Sequence, residues 1–298
     1  LCAALQPDAI LSIQRYANIA ILQSRLLTRR RVPVIVNEQN RIGFEFQQFG
    51  GGRFKRAMLK WLYPHANAIT VISHGIAQEL AQDYSIDPRR VHVIYNPIDL
   101  AALQDRSHSA PPHPWLAEND PPTLIAAGRL VPQKGFDLLL HALTRIKAER
   151  FVRLIVLGEG PDRSMLEKLR DDLGLRAVVE FPGFQSNIAA FYSRAATFVL
   201  ASRYEGFGNV LVEAMACGTP VVSFRCPSGP DEIIEHEQSG LLVPPEDVAA
   251  LSAAIMRVLG DRALADLLRR GGLARAKTFD APIIAAQYAD LIEALCAS

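Results

Sequence analysis

Two patterns of hydrophobic and polar positions alternate along the chain, and their alternation predicts an α/β protein. Short apolar, often β-branched runs occupy residues 9–13, 33–36, 68–72 and 91–94. From residue 123 onwards further runs follow, namely "TLIAAG", "VRLIVLG", "AVVEF", "ATFVL", "PVVSF" and "GLLV". Continuously apolar runs are typical of strands buried on both faces of a parallel sheet. Amphipathic stretches such as "GIAQELAQDY" separate many of the runs and predict helices, so the pattern favours doubly wound sheets.

A proline-rich stretch divides this pattern into two halves. Five prolines fall between residues 111 and 122, which is typical of a loop or linker. We therefore expect a first domain over residues 1–100, a linker over 101–122 and a second domain over 123–280. Residues 281–298 contain "APIIAAQYADLIEALC", which predicts a C-terminal helix that packs back towards the first domain.

Composition narrows the class of protein. The chain has 298 residues, of which 49% are hydrophobic and 21% charged, so it can bury two cores. Its net charge of +1 argues against nucleic-acid binding by bulk charge, and four cysteines without C-x-x-C spacing favour a reducing, cytoplasmic setting. No apolar run reaches about 18 residues, so no membrane span is expected. The chain opens at Leu1 with "LCAALQPDAILSI", which reads like the interior of a domain, and we expect the first domain to be incomplete.

One segment concentrates positive charge. Residues 25–60 contain two acidic residues, Glu38 and Glu45, and a much larger set of basic ones: Arg25, Arg29, Arg30, Arg31, Arg41, Arg53, Lys55, Arg56 and Lys60. Such a zone suits an acidic substrate or an anionic membrane surface, and a solvated face is the alternative. Trp61 beside it could meet a lipid diphosphate acceptor or pack into the core. We expect peripheral contact with the inner face of the plasma membrane.

The first candidate site lies where the "TLIAAG" strand ends. In "AAGRLVPQKGFDLLL", Gly128 follows the strand, Arg129 and Lys134 flank a loop, and a helix begins near Gly135. A helix N-terminus beside two cations suits phosphate oxygens, which Arg can hold in a fork and Lys can meet as a point charge. The pattern is not a P-loop, because G-x-x-x-x-G-K-[ST] is absent. Two solvated loop cations are the alternative.

A second candidate site is the turn in "SRYEGFGNVLVEAMACGTPVV". Gly206 and Gly208 bracket Phe207, Asn209 is the expected N-cap of a helix over residues 210–217, and a glycine follows as the stop. We expect the backbone N–H groups of this turn to face a ligand. The shorter turn "LGEGP" is ordinary strand-to-helix chemistry when taken alone.

Two glutamates flank this second turn. Glu213, about one turn into the helix, could accept hydrogen bonds from two hydroxyls of a ribose, and Glu205 could do the same for a second sugar. Either carboxylate could instead only complement the helix dipole.

Together the motifs "GRLVPQKG", "LGEGP", "PGF" and the E-x7-E within "EGFGNVLVEAMACGTPVV" resemble the retaining glycosyltransferases of family 4. The resemblance implies the GT-B fold, with two facing Rossmann-like domains and the site in their cleft. It also implies transfer of a hexose or N-acetylhexosamine from a nucleotide diphosphate sugar to a glycan or polyprenol-linked acceptor. UDP is the expected nucleotide, although nothing local excludes GDP or ADP. Members that resemble this chain most build bacterial surface polysaccharides or lipid-linked oligosaccharides.

The resemblance also implies roles for individual residues. Arg129 and Lys134 would bind the donor diphosphate and stabilise it as a leaving group. Glu213 would hold the ribose hydroxyls and Glu205 the hydroxyls of the donor sugar. The other donor-binding positions that it implies are Gly128, Gly158, Phe184, Gly206, Phe207, Gly208, Asn209 and Val210. Retention of anomeric configuration follows from the resemblance only, and we expect front-face attack because no covalent nucleophile stands out.

Acceptor-side residues and cofactors are less marked. Glu38, in "NEQN" at a strand end, is the candidate to orient or deprotonate the acceptor hydroxyl, and the alternative is a carboxylate paired with a nearby Arg. His74, at another strand-to-helix turn, is expected to cap or pack. No D-x-D pair is present to hold a metal on a diphosphate, so we expect metal-independent transfer and no cofactor.

Other functions on the same scaffold stay open. A GT-B nucleotide-sugar epimerase would share the diphosphate site but need no acceptor. A non-catalytic nucleotide-sugar-binding fragment would bind the donor and release no product. A glycosidase using Glu205 and Glu213 is disfavoured, because a hydrolase needs no diphosphate site.

Overall fold

The computed structural model describes residues 6–28, 32–43, 52–117 and 121–297. Its contacts divide the chain into two compact units, one formed by Leu1–Pro97 with Ala281–Ser298 and the other by Ile98–Asp280. The division therefore falls at the start of the stretch that the sequence predicts as a linker.

The first unit contains a four-stranded parallel sheet. Its strands, in the spatial order β1-β2-β3-β4, are β1 (Ile10–Ile13), β2 (Val34–Glu38), β3 (Ala68–Val71) and β4 (Val91–Val93). Its α-helices are α1 (Arg15–Leu27), α2 (Gly52–Leu62), α3 (His74–Tyr84) and the C-terminal α12 (Ala281–Cys296). Every residue of β2 and β3 is buried, which explains their continuous apolar runs. The Tyr288 hydroxyl of α12 accepts a hydrogen bond from Asn37 Nδ2 at 3.0 Å, at the end of β2.

The second unit contains a six-stranded parallel sheet with the order β10-β9-β8-β5-β6-β7. The strands are β5 (Thr123–Ala127), β6 (Arg153–Leu157), β7 (Val179–Gly183), β8 (Thr197–Leu200), β9 (Val221–Phe224) and β10 (Leu241–Val243). The helices are α4 (Leu100–Ser107), α5 (Phe136–Glu149), α6 (Arg163–Asp172), α7 (Ala189–Tyr192), α8 (Asn209–Ala216), α9 (Pro230–Ile233), α10 (Val248–Gly260) and α11 (Arg262–Ala276). Leu139 and Leu143 of α5 pack with Val156 of β6 in one buried core. The α/β fold class that the sequence predicts is therefore confirmed.

The first part of the stretch predicted as a linker forms helix α4 instead. Asp99 caps α4 by accepting a hydrogen bond from the Ala102 N–H at 2.9 Å. Ser193 Oγ then donates to the Ser107 carbonyl at the end of α4 at 3.0 Å, and Arg194 Nη2 donates to the Ser109 carbonyl at 2.5 Å. These hydrogen bonds tie residues 100–109 into the second unit. The prediction missed α4 because a helix of two turns carries little periodicity beside so many prolines.

Candidate active site

The strand order of the second unit creates a switch point between β8 and β5. The chain winds outward from β5 through β6 to β7, and then returns to place β8 on the other side of β5. In open α/β sheets, ligands bind beyond the carboxyl ends of strands at such a point. The loops after β5 and β8 carry the residues that the sequence singles out for phosphate and sugar binding, so the fold brings these two loops together.

Lys134 and Glu205 form an ion pair between these two loops. Lys134 Nζ lies 2.6 Å from Glu205 Oε1, and the side chains are 17% and 6% exposed. Gly135, which follows Lys134, has φ 60°, and a Cβ there would lie 2.0 Å from the Ala201 carbonyl oxygen. Only glycine therefore permits this close approach between the two loops.

Glu205 has a second partner that the sequence did not indicate. Ser202 Oγ donates to Glu205 Oε1 at 2.7 Å, and Ser202 is fully buried. Lys134 and Ser202 both contact Oε1, so neither of them uses the second carboxylate oxygen. Within the described ranges, one oxygen of Glu205 is held in place and the other has no side-chain donor, so it can meet a ligand hydroxyl.

Arg129 is the exposed cation of this site. Within the described part of the chain, its guanidinium has no ion pair. Tyr204 has a raised pKa, mainly because of burial and then because of the Glu205 charge, while Arg129 acts in the opposite direction. Arg129 therefore lies near the Lys134–Glu205 pair and offers an uncommitted guanidinium to an anion.

The loops after β6 and β7 adjoin the loop after β5. The Gly128 N–H donates to the Leu157 carbonyl at 2.9 Å, and the Gly158 N–H donates to the Gly183 carbonyl at 2.9 Å. Gly158 has φ 129°, and a Cβ on it would lie 2.0 Å from the Gly128 carbonyl oxygen. Phe184 follows β7 and is 77% exposed, which leaves an aromatic face free at this edge. A planar nucleobase can stack on such a face.

Helix α8 begins one residue earlier than the sequence predicts. Gly208, with φ 104°, is the N-cap and Asn209 is the first helical residue, so the prediction of Asn209 as the cap is wrong. Glycine suits this position because it has no Cβ and can therefore adopt a left-handed backbone conformation that is strained for other residues. Phe207 is 2% exposed and its ring packs edge-on against Phe279 at 5.4 Å. The side chain of Phe207 therefore belongs to the core, and only its backbone could reach a donor.

Glu213 lies on α8, with its carboxyl in a largely buried position. Burial raises the pKa of this carboxyl, and the nearby Tyr192 hydroxyl offsets part of the increase. Among the described residues, the buried Tyr192 hydroxyl meets no partner at hydrogen-bond geometry, although the Glu213 charge contributes to its raised pKa after burial itself. A carboxylate with so few donors in the described part of the chain favours a ligand that brings hydroxyl groups to it.

Glu38 occupies a closed network in the first unit, which argues against the predicted role as acceptor base. The carboxylate is 1% exposed, and Arg15 Nη2 lies 3.0 Å from its Oε2. The Tyr63 hydroxyl and Asn18 Nδ2 donate to its Oε1. Burial raises the pKa of Glu38, and the Arg15 charge opposes the increase. An acceptor hydroxyl cannot reach a carboxylate enclosed in this way, so the Arg-paired alternative describes Glu38.

Of the two roles predicted for His74, the structure shows packing and not capping, while Trp61 lies at the surface. The N-cap of α3 is Ser73, whose Oγ accepts a hydrogen bond from the Ile76 N–H at 3.3 Å, and His74 is the exposed first helical residue. The His74 ring packs edge-on against Tyr95, with centroids 6.4 Å apart. Trp61 is 59% exposed and therefore does not pack into the core.

The basic segment is partly neutralised by its own surroundings. Arg41 lies 3.5 Å from Glu79 and Arg56 lies 2.9 Å from Asp83, whereas Arg25 donates to the uncharged amide oxygen of Asn67. Lys60 is exposed on α2. The predictions for Arg29, Arg30, Arg31 and Glu45, and for the side chain of Arg53, lie outside the described residues.

Sequence reasoning also missed the residues that join the two loops of the site. Arg203 pairs with Asp137, and Gln133 Nε2 donates to the Tyr204 carbonyl at 3.0 Å. These residues lie close in sequence to Lys134 and Glu205, which could have marked them as candidates. Only the fold shows that the two segments lie side by side.

Possible metal ligands do not cluster. In the described ranges, no three His, Cys, Asp or Glu side chains come together as a metal-binding group. Metal independence stays a prediction. Within the same ranges, no helix combines the length and the apolar character that crossing a bilayer requires.

The two parallel α/β units, with the candidate site at the switch point of the second, are the architecture of a GT-B protein. Residues 112–274 match the family model described as "Glycosyl transferases group 1", and residues 1–102 match the model described as "Glycosyltransferase Family 4". Because the first match covers more than half of the chain, the chain belongs to the group 1 glycosyl transferases. The family resemblance that the motifs carry is thereby confirmed.

Two of the relatives that the chain matches are bacterial glycosyltransferases. The chain is 32% identical over 223 residues to N-acetylgalactosamine-N,N'-diacetylbacillosaminyl-diphospho-undecaprenol 4-alpha-N-acetylgalactosaminyltransferase of Campylobacter jejuni, a match that covers 75% of this chain and 59% of that protein. It is 36% identical over 203 residues to the lipopolysaccharide core biosynthesis glycosyltransferase LpsD of Rhizobium meliloti, covering 66% of this chain and 57% of LpsD. The chain thus spans little more than half the length of these relatives.

Solved structures share the fold. Alr3699/HepE of Anabaena, crystallised in complex with UDP, superposes with a TM-score of 0.84 at 23% identity and covers 98% of this chain and 80% of its own. The sucrose-phosphate synthase of Thermosynechococcus elongatus superposes with a TM-score of 0.83 at 25% identity, covering 99% of this chain and 75% of its own. These similarities confirm the GT-B fold.

Proposed function

We propose that this chain transfers a hexose or N-acetylhexosamine from a nucleotide diphosphate sugar to a glycan or lipid-linked acceptor, with retention of anomeric configuration. The observation that carries the proposal is the Lys134–Glu205 pair at 2.6 Å between the loops after β5 and β8. It sets a cation for phosphate beside a carboxylate for sugar hydroxyls at the switch point of the sheet.

The chemistry fits these groups. Breaking a bond between sugar and phosphate builds negative charge on the leaving diphosphate. Lys134, held in place by Glu205, and the exposed Arg129 can stabilise that charge as it develops. The free oxygen of Glu205 orients the donor sugar, and Glu213 accepts the ribose hydroxyls. Positioning and electrostatic stabilisation together supply the rate enhancement in this scheme.

Donor and acceptor are proposed from the relatives. UDP is supported by the Anabaena structures, which were crystallised in complex with UDP and with UDP-glucose. A lipid diphosphate acceptor is supported by the Campylobacter relative, whose name places its acceptor on diphospho-undecaprenol. Metal independence is supported by the absence of a D-x-D pair from the sequence. We expect activity to be unchanged by a chelator.

Peripheral contact with the inner face of an anionic membrane is proposed for α2. Phe54 is 78% exposed and Trp61 is 59% exposed, and they lie seven positions apart, on one side of the helix. Lys60 is exposed next to Trp61. Aromatic rings beside a basic residue on an amphipathic helix suit the boundary between lipid headgroups and acyl chains.

The decisive experiment measures UDP release from a panel of nucleotide sugars, with and without a polyprenol-linked acceptor. Release that depends on acceptor supports transfer. Product formed equally well without acceptor would identify an epimerase or hydrolase instead. Donor binding with no product under any condition would favour the binding-module alternative.

A second experiment tests the membrane contact by co-sedimentation with vesicles. We expect the chain to bind vesicles containing anionic lipid, and we expect Phe54→Ser with Trp61→Ser to weaken this binding. Phe151→Ser is the matched control, because Phe151 is 56% exposed in the second unit. Binding that ignores both anionic lipid and the α2 substitutions would reject the contact.

A further inference from the structure

We propose that Arg203 is a positioning residue that holds the Lys134 loop against the Glu205 loop. The inference rests on the proposed function, since it concerns the placement of the group that meets the diphosphate. Nothing in the E-x7-E pattern points to Arg203, and its importance comes from contacts that join residues 132–137 to residues 202–205.

The two segments are bonded residue by residue. The Arg203 N–H donates to the Gln133 carbonyl at 2.8 Å, and Gln133 Nε2 donates back to the Tyr204 carbonyl at 3.0 Å. Lys134 Nζ then reaches Glu205 at 2.6 Å. The 3-10 turn that carries Lys134, Pro132–Lys134, has no side-chain cap of its own. The contacts from residues 203 and 204 therefore add to the few backbone hydrogen bonds that the turn makes within itself.

The Arg203 side chain adds further hydrogen bonds between the two segments. Nη1 donates to the Pro132 carbonyl at 2.7 Å and to Asp137 Oδ1 at 2.9 Å, while Nη2 donates to Asp137 Oδ2 at 2.7 Å. One guanidinium thus holds both the start of the turn and the first turn of α5. Two parallel N–H···O bonds to a carboxylate fix geometry as well as charge, which a Lys at this position could not do.

The charges support the same role. Burial acts to raise the pKa of Asp137, but the hydrogen bonds and charge of Arg203, together with backbone hydrogen bonds at the start of α5, lower it overall. Glu246 lies 3.4 Å from Arg203 Nε and adds a second carboxylate. The Arg203 and Asp137 side chains are 28% and 30% exposed, and pairs near the surface contribute only about 0–1 kcal/mol to folding. The pair should therefore matter more for loop placement than for global stability.

The test compares Arg203→Ala, Arg203→Lys and Asp137→Asn with Arg257→Ala. Arg257 pairs with Glu237 at 2.5 Å elsewhere in the same unit and serves as the matched control. We expect Arg203→Ala to lower kcat about 10- to 100-fold, because a displacement of about 1 Å at a catalytic group can cost that much. Donor KM should change much less, because the ribose and base contacts remain.

The conservative variants and the control test whether the loss of kcat comes from the hydrogen bonds between Arg203 and Asp137. Arg203→Lys should recover only part of the loss, and Asp137→Asn should lower kcat in the same direction. Arg257→Ala should match the wild-type kcat, and its melting temperature should differ little from that of Arg203→Ala. In a Lys134→Ala background, Arg203→Ala should have no further effect, because it acts through Lys134. Full additivity of the two substitutions, or a wild-type kcat in Arg203→Ala, would overturn the proposal.

Hydrogen exchange separates this proposal from the proposed function. Amide protection over residues 132–137 should fall in Arg203→Ala and stay unchanged in Arg257→Ala, whether or not the chain turns over a donor. Unchanged protection in Arg203→Ala would reject the positioning role on its own. Absence of product from the wild-type chain would reject transfer while leaving the exchange result to decide the role of Arg203.

Discussion

Glu38 and Glu205 are two buried carboxylates, one at the end of β2 and one in the loop after β8, and they differ in what surrounds them. They are 1% and 5% exposed, and each pairs with one cation, Arg15 at 3.0 Å and Lys134 at 2.6 Å. The Arg15 side chain is 6% exposed, whereas that of Lys134 is 17% exposed and the uncommitted Arg129 lies nearby. The first pair is closed off from ligands and the second is open to them.

The difference shows that burial of a charge does not by itself mark a catalytic group. Tyr63 and Asn18 also donate to Glu38 and are themselves buried. The hydrogen bonds of Glu38 are therefore made within the protein and stabilise the fold. Among the described residues, the cluster around Glu205 keeps one carboxylate oxygen and the Arg129 guanidinium for a ligand. The predictions that follow test this distinction.

The largest effect should come from breaking the closed pair. Glu38→Gln leaves the buried Arg15 without its counter-charge, and removing one partner of such a pair typically costs about 3–5 kcal/mol of stability. Denaturant unfolding followed by Trp61 fluorescence in a Trp115→Phe background would measure this cost in the first unit. The double change Arg15→Met with Glu38→Leu should be milder, because no buried charge remains. Glu38 would return as a catalytic candidate if the folded Glu38→Gln protein retained its stability but lost its kcat.

Removing the cation of the open pair should act mainly on catalysis. Lys134→Ala should lower kcat about 100-fold or more, because one donor that stabilises a developing anion is worth about 3 kcal/mol. Steady-state UDP release measures this, with circular dichroism to check the fold. Lys168→Ala is the control, since Lys168 is 75% exposed on α6. Turnover at the wild-type rate in Lys134→Ala would show that Lys134 does not meet the diphosphate.

Glu213 should show opposite effects on binding and on stability. Burial raises its pKa in the free protein, and ribose hydroxyls would favour the charged form and lower that pKa in the complex. UDP affinity should therefore be full above the free-state pKa and decline as the pH falls through it. Glu213→Gln should weaken UDP binding about 10-fold and remove this pH dependence, as isothermal titration at several pH values would measure.

Glu213 should affect folding stability in the opposite way, since its contribution to stability falls as the pH rises. A carboxyl whose folded pKa lies above its unfolded value loses stability as the pH rises through the folded pKa. Glu213→Gln should therefore be more stable than the wild type at neutral pH, and about equally stable in acid. Unchanged UDP affinity, together with a wild-type melting temperature at all pH values, would contradict both roles of Glu213.

The smallest effect should come from the second partner of Glu205. Ser202→Ala removes one hydrogen bond to Oε1 and leaves the Lys134 bond intact. A loss of about 0.5–1.5 kcal/mol corresponds to a few-fold decrease in kcat/KM for the donor. Initial rates at low donor concentration would measure it, with Ser252→Ala on α10 as a buried control. A decrease as large as that of Lys134→Ala would mean that Ser202 has a direct role.

Much of the fold and part of the site could be predicted from the sequence. The apolar runs predict the strands because buried parallel strands need apolar residues on both faces. Arg129, Lys134 and Glu205 could be picked out because each follows such a run, where ligands bind in this type of sheet. Helix α4 was missed because it is only two turns long and precedes a run of prolines, and Asn209 was mistaken for a cap because Gly208 uses its backbone freedom instead of a side chain.

The sequence by itself determined the strand and helix pattern and the chemical inventory of the second unit, because both depend on local order along the chain. Only the tertiary structure decided how these groups are used. It closed Glu38 in with Arg15, and it joined Lys134 to Glu205 across 71 positions. The physical reason is that the solvation and the partners of a charge depend on which distant segments pack around it.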